Sequence, residues 1–338
     1  MNRNPPLLPT VVYLLILGFS VCLTCSCSRE SASRSDETAD GFSDRIIVQL
    51  DWVAEPEHGG FYQAEALGFF EDEGLDVDLI QGGPNAFVHQ KIATGQAQFG
   101  QSDSTNTLLA IAEGLPLINV AAVFQHDPSV LMLHEGNPIS SFEELEGKTI
   151  MARPEWVFLA FLRQKYGIEF NVLPQNFGLA QFLADPGFIQ QGFYIAEPFF
   201  IEREGITPKY LYAWDSGFDA YTVIIGNRDF VRRFPEVTRA FLRAYIRGYR
   251  SYLTEDPEPA HDIMLRINPK VSDEYLGYSR RMIISEELAT GPNGNIDAIG
   301  WISRERFSTQ IDQLEDLGIL KKGAVSVDQV MSDHFLPH

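Results

Sequence analysis

From residue 45 onward, short β-branched runs alternate with helical stretches, and this pattern constrains the fold more than any other feature. Arg45-Ile-Ile-Val-Gln-Leu50 reads as a strand, and Gly59 to Phe70 has helical spacing. Gly74 to Ile80 alternates as a strand does and stops at Gly82-Gly83-Pro84. Asn85 is then placed to cap a helix running to about Thr94. Ala97 to Gly100 reads as a strand and Thr105 to Glu113 as a helix, and the runs Leu117 to Phe124 and Ser129 to His134 complete a first half. Thr149 to Ala152 opens a second series: a helix from Trp156 to Tyr166, a strand Phe170 to Leu173, a short helix Ala180 to Ala184, and a strand Gln191 to Ile195. Tyr221 to Ile225 is a strand able to pair back with the first half. The helix Pro235 to Leu253 carries an apolar stripe of Val237, Phe241, Tyr245 and Tyr249. Alternation of this kind specifies open α/β sheets, and a chain that returns to its first sheet makes two hinged lobes. The chain has 338 residues, enough for two such lobes.

Residues 1–44 read differently. Arg3 precedes an apolar run from Val11 to Leu23, followed by Thr24-Cys25-Ser26-Cys27. A core of about 13 apolar residues is short for a membrane span and fits an export signal. All three cysteines, Cys22, Cys25 and Cys27, lie at its end. No thiol remains for a disulfide framework or a thiolate metal site in the rest of the chain. The run resembles a bacterial lipobox, with Cys27 after Ser26 the lipidation residue and Cys25 the alternative; cleavage without a lipid also stays open. Residues 28–44 are polar and aperiodic, a tether. The expected organisation is a signal over 1–27, a tether over 28–44, one lobe over 45–145 with a return segment of about 222–338, and a second lobe over 146–221. The expected location is outside the cytoplasm, in a periplasm or on the outer face of the cell membrane.

With 46 acidic and 26 basic residues, the net charge of −20 repels nucleic acid. The seven histidines are scattered without a close metal-binding pair, so no metal site is expected. The chain lacks a Gly-x-Ser-x-Gly elbow, a His-Glu-x-x-His pair and a dinucleotide-binding glycine motif.

The loop after the first strand, Asp51-Trp52-Val-Ala-Glu55-Pro-Glu57-His58-Gly-Gly60-Phe-Tyr62, carries a specific resemblance. So do Gly68 to Val77, Ile92 to Gly100, Phe142 to Ile150 and Glu197-Pro198. These stretches resemble the NMT1/THI5-like solute-binding proteins, nearest to the branch that binds pyrimidine precursors of thiamine. The resemblance implies a periplasmic-binding-protein type II-like α/β fold with a hinged ligand cleft. It implies a monomer that delivers a small heterocycle to an ABC permease and its ATPase, with no cofactor. A separate sensory receptor is the alternative partner; a sulfonate, nitrate or riboflavin-like ring is the alternative ligand. The family's pyrimidine synthase carries a Lys and a His where this chain has Ser102 and Asn106, which disfavours pyridoxal chemistry and an enzyme.

In open sheets ligands gather at the carboxyl ends of strands. Trp52 and Tyr62 are candidates for stacking on a flat ring, with core packing as the competing role. His58 is a candidate donor, and Gly60 a point of close backbone approach. Asn85, Ser102 and Ser104 bring hydrogen-bonding groups on first-lobe loops. Arg153, Trp156 and Glu197 follow second-lobe strands, and Asp219 and Tyr221 lie where the chain returns.

Overall fold

A computed structural model describes residues 45–337. The expected signal, tether and Cys27 or Cys25 lipidation therefore lie outside the described residues. Ten strands form two sheets: β1 (Arg45–Gln49), β2 (Asp76–Ile80), β3 (Phe99–Asp103), β4 (Leu117–Phe124), β5 (Ser129–His134), β6 (Thr149–Ala152), β7 (Asn171–Pro174), β8 (Ile189–Phe193), β9 (Pro208–Tyr212) and β10 (Thr222–Asn227). The first sheet has the order β2-β1-β3-β10-β4 and the second β7-β6-β8-β5-β9. In each, three strands run parallel, and the fourth position is antiparallel to the strand on either side. This is a two-lobe α/β architecture.

The two antiparallel strands are exchanged between the halves of the sequence. β5, counted with the first half on sequence grounds, hydrogen-bonds to β8 and β9 in the second sheet. β10 comes back from the second half to lie between β3 and β4. Both are buried along almost their whole length, with consecutive apolar residues 130–133 and 223–225 at their centres, the pattern of strands covered on both faces. The exchange leaves two connections between the sheets, residues 125–128 and 213–221. They are tied together by the Asp127 N–H donating to the Ala220 carbonyl at 2.9 Å.

The helix Pro235–Thr254 lays Phe241, Tyr245 and Tyr249, each wholly buried, against the first lobe. The helix Gly59–Ala66 packs onto it unusually closely. A Cβ on Gly60 would sit 2.7 Å from that of Tyr249, and one on Gly248 would sit 2.4 Å from the Gly60 carbonyl oxygen. The helix Arg304–Asp316 covers the first sheet, adding Phe307, Ile311 and Leu314 to a core shared with Tyr221, Val223 and Ile225. No helix among the described residues is long and apolar enough to cross a membrane.

Candidate functional site

The two connections form the floor of a cleft between the sheets, with about 440 Å³ of atom-free space counting the part open to solvent. One wall is Asp103, Thr105 and Asn106, at the end of β3 and the start of the helix Ser104–Ala112. The opposite wall is Arg153, Trp156 and Val157, between β6 and the helix Val157–Tyr166. The floor is Asp127 with Trp214, Phe218 and Asp219. The carboxyl ends of strands from both sheets are where an open α/β fold concentrates recognition.

Local chemistry explains each placement. Asp103 caps the helix, accepting from the Asn106 N–H at 2.8 Å and from Asn106 Nδ2 at 2.7 Å. Asp127 accepts the Ser129 N–H at 2.9 Å, and burial raises its pKa above the ordinary value, with nearby Asp103 adding to the rise and Arg153 opposing it. Asp219 is held from two sides, 2.7 Å from His126 Nδ1 and 3.0 Å from Arg306 Nη2. Trp214 continues an aromatic row, with the Tyr212 ring centroid at 4.6 Å and that of His126 at 5.6 Å.

Of the residues expected from sequence, Arg153, Trp156 and Asp219 meet in this cleft. Others take different positions. Tyr221 is buried in the core: its hydroxyl accepts from the Ser303 N–H, and Arg306 lies 3.6 Å from its ring centroid. Ser104 is consumed by structure, donating to Gln310 and accepting from the Tyr221 N–H. Gly60 serves helix packing, because its missing Cβ faces Tyr249 and leaves no side available to a guest. Tyr62 is buried, with its hydroxyl unpartnered among the described residues. Asn85 is exposed and caps nothing; the helix starts at Val88, after Phe87 in the left-handed region. Ser102 is buried, 2.9 Å from His89 Nε2.

Trp52, His58 and Glu197, also expected at the site, are not among the residues lining this cleft. Trp52 reaches across the lobes to Phe177, with ring centroids 5.5 Å apart. His58 is wholly buried, its Nε2 3.1 Å from Asp51 Oδ1 and 3.6 Å from Glu57 Oε1. The expectation of no metal site came from the spacing of histidines alone; the fold sets two carboxylates beside one of them. Glu197 accepts the Phe193 N–H at 2.7 Å, and burial raises its pKa. Burial also pushes Glu55 up to about 7, against the Tyr275 hydroxyl that donates to it at 2.9 Å. Sequence reasoning missed Asp127 and Trp214. Asp127 was findable as the acid in the four-residue step between two apolar strands; Trp214 follows β9, which the sequence reading left out.

Residues 55–260 match the family described as NMT1/THI5 like. The chain is 24% identical to the riboflavin-binding protein RibY of Chloroflexus aurantiacus, over 97% of each chain. It is 26% identical to the formylaminopyrimidine-binding protein of Halalkalibacterium halodurans, over 85% of this chain and 90% of that one. It is also 24% identical to the Saccharomyces cerevisiae 4-amino-5-hydroxymethyl-2-methylpyrimidine phosphate synthase THI13, over 70% and 76%. Among solved structures, the Candida albicans CA3427 gene product, described as exhibiting the generic periplasmic binding protein fold, superposes with a TM-score of 0.59 at 11% identity. It covers 86% of this chain and 96% of that one.

Proposed function

Since the chain belongs to the NMT1/THI5-like family, we propose that it is the extracytoplasmic solute-binding component of an ABC importer. Its cargo is a flat, donor-rich heterocycle: a thiamine pyrimidine precursor of the formylaminopyrimidine kind, with a flavin-like ring as the second candidate. The observation that carries this reading is the composition of the inter-lobe cleft. Trp156 and Trp214 supply aromatic faces, and Asp103, Asp127 and Asp219 supply acceptors. Rings stack on the former, and exocyclic amines and ring N–H groups donate to the latter. A sulfonate or nitrate needs the opposite electrostatics, and among the described residues Arg153 is the one cation lining this cleft. The names of the riboflavin-binding and formylaminopyrimidine-binding relatives support the same ligand class.

Import without chemistry fits the positions where the family's synthase carries Lys and His. Ser102 is paired with His89 and Asn106 with Asp103, and neither offers an amine for a Schiff base. Export and a lipid on Cys27 complete the proposal, and place the monomer beside its permease.

Calorimetry against a panel of aminopyrimidines, riboflavin, alkanesulfonates and nitrate tests the ligand class. Saturable heat with a pyrimidine or flavin, and recovery of the guest with unchanged mass, is the expected result. Heat with sulfonates or nitrate alone overturns the reading of the cleft, and a changed guest mass overturns the transport role. Replacing Cys27 by Ala should release the protein from membranes, as read by mass spectrometry of the detergent fraction.

A further inference from the structure

The loop after β1 holds a group of side chains that neither the cleft nor the core explains. Asp51, Glu57 and His58 each offer one donor atom, and the three atoms lie within 4.8 Å of one another. The spacings are 3.1 Å from His58 Nε2 to Asp51 Oδ1 and 3.6 Å to Glu57 Oε1. Nitrogen and oxygen ligands at about 2.0–2.1 Å from a tetrahedral ion stand about 3.3 Å apart, so these separations fit shared ligation with small adjustments.

An independent observation points to an occupant. Glu57 is only 6% exposed, and its carboxylate receives no hydrogen bond from any described residue. Its closest counter-group is His58 Nε2, outside hydrogen-bonding distance. The other charged groups acting on it are Asp51, Glu55, Glu197 and Asp127, all acidic. A buried carboxyl so surrounded takes up either a proton or a cation. The scaffold around it is firm. The turn Pro56–His58 is closed by the His58 N–H donating to the Glu55 carbonyl at 2.9 Å, and Tyr275 anchors Glu55.

We propose that Asp51, Glu57 and His58, on the loop after β1, form a binding site for a divalent transition-metal ion of the zinc type. One imidazole nitrogen with two carboxylates suits zinc better than calcium or magnesium, which favour all-oxygen shells. Three protein ligands leave a fourth position for water or for a donor atom of a guest. The site is independent of the cargo: metal binding without any heterocycle is its consequence, and failure here leaves the import role standing.

Untagged, chelator-treated full-length protein dialysed against Zn²⁺ and Ca²⁺ provides the test. One zinc per chain, preferred over calcium, is expected. Glu57→Gln and His58→Gln should each weaken zinc binding at least about ten-fold. Asp51, with 38% of its side chain exposed, is the ligand whose replacement least disturbs folding, so Asp51→Asn keeps the test valid if a buried variant fails to fold. Glu236→Gln, which removes an 80% exposed surface carboxylate, should bind zinc as the parent does. Absence of stoichiometric zinc, or zinc affinity equal to the parent's in Asp51→Asn and Glu57→Gln, overturns the assignment. So does saturation of these carboxylates by an organic amine in a protein that takes up no zinc.

Discussion

At the scale of single residues, the cleft is lined by rings and acids. Trp156 stands at the start of its helix with the Phe158 ring centroid 4.7 Å away, so the indole has a rigid backing. Trp156→Ala should weaken heterocycle binding about 10- to 100-fold in calorimetry with little change in the melting temperature of the unliganded protein. An unchanged dissociation constant would remove Trp156 from the site. His89 makes a separate prediction. Its Nε2 lies 2.9 Å from Ser102 Oγ and 3.1 Å from Thr107 Oγ1, and burial lowers its pKa below 6.5. The folded protein therefore prefers the neutral ring. The resulting stability is complete above the unfolded-state value and is lost as pH falls through the folded one. Thermal melts at pH 7.5 and 5.5 should show a smaller acid loss in His89→Gln than in the parent; an equal loss would show that His89 does not couple to folding.

At the scale of elements, the two glycines on facing helices set a distance. Helix propensity alone says that Gly248→Ala stabilises by about 1 kcal/mol. The structure says the reverse. The new methyl would meet the Gly60 carbonyl oxygen at 2.4 Å and the Ala64 nitrogen at 2.8 Å, both backbone atoms that cannot rotate away. A net destabilisation of about 1–3 kcal/mol in urea unfolding is the expected outcome, and a more stable variant would refute the packing argument. The same elements show what a sequence can convey. Buried strands such as β4 and β10 announce themselves as largely apolar, β-branched runs, and the helix Pro235–Thr254 by its stripe. β9 does not, because it begins with Pro208 and alternates Lys and Leu between half-buried tyrosines. The sheet to which β5 belongs is equally hidden, since its partners β8 and β9 lie more than fifty residues away. Arg153, Trp156 and Asp219 were legible because they follow strand ends or a return of the chain. Asp51 and Glu57 beside His58 were not: their relation depends on a turn whose shape only the fold supplies.

At the scale of the whole molecule, the exchange of β5 and β10 leaves two connections between the lobes, and the cleft floor is made of them; the proposed import role requires the lobes to swing on them. Motion there must change whatever touches across the mouth. The Trp52–Phe177 contact is such a link, one ring on the loop after β1 and the other on the loop after β7. Phe177 is 56% exposed and has φ of 58°, a costly conformation for a residue with a Cβ. Exposure and strain together gain little for the fold itself, so under the proposed import role the ring would act as a clasp on a bound guest. Phe177→Ala should therefore leave the urea midpoint within error while speeding release of a bound heterocycle several-fold, read by stopped-flow recovery of tryptophan fluorescence. Ligand should also reduce the radius of gyration in solution scattering, and less so in the variant. A release rate equal to the parent's would mean that the lobes close without this clasp, and that Trp52 and Phe177 meet only as neighbouring surface rings.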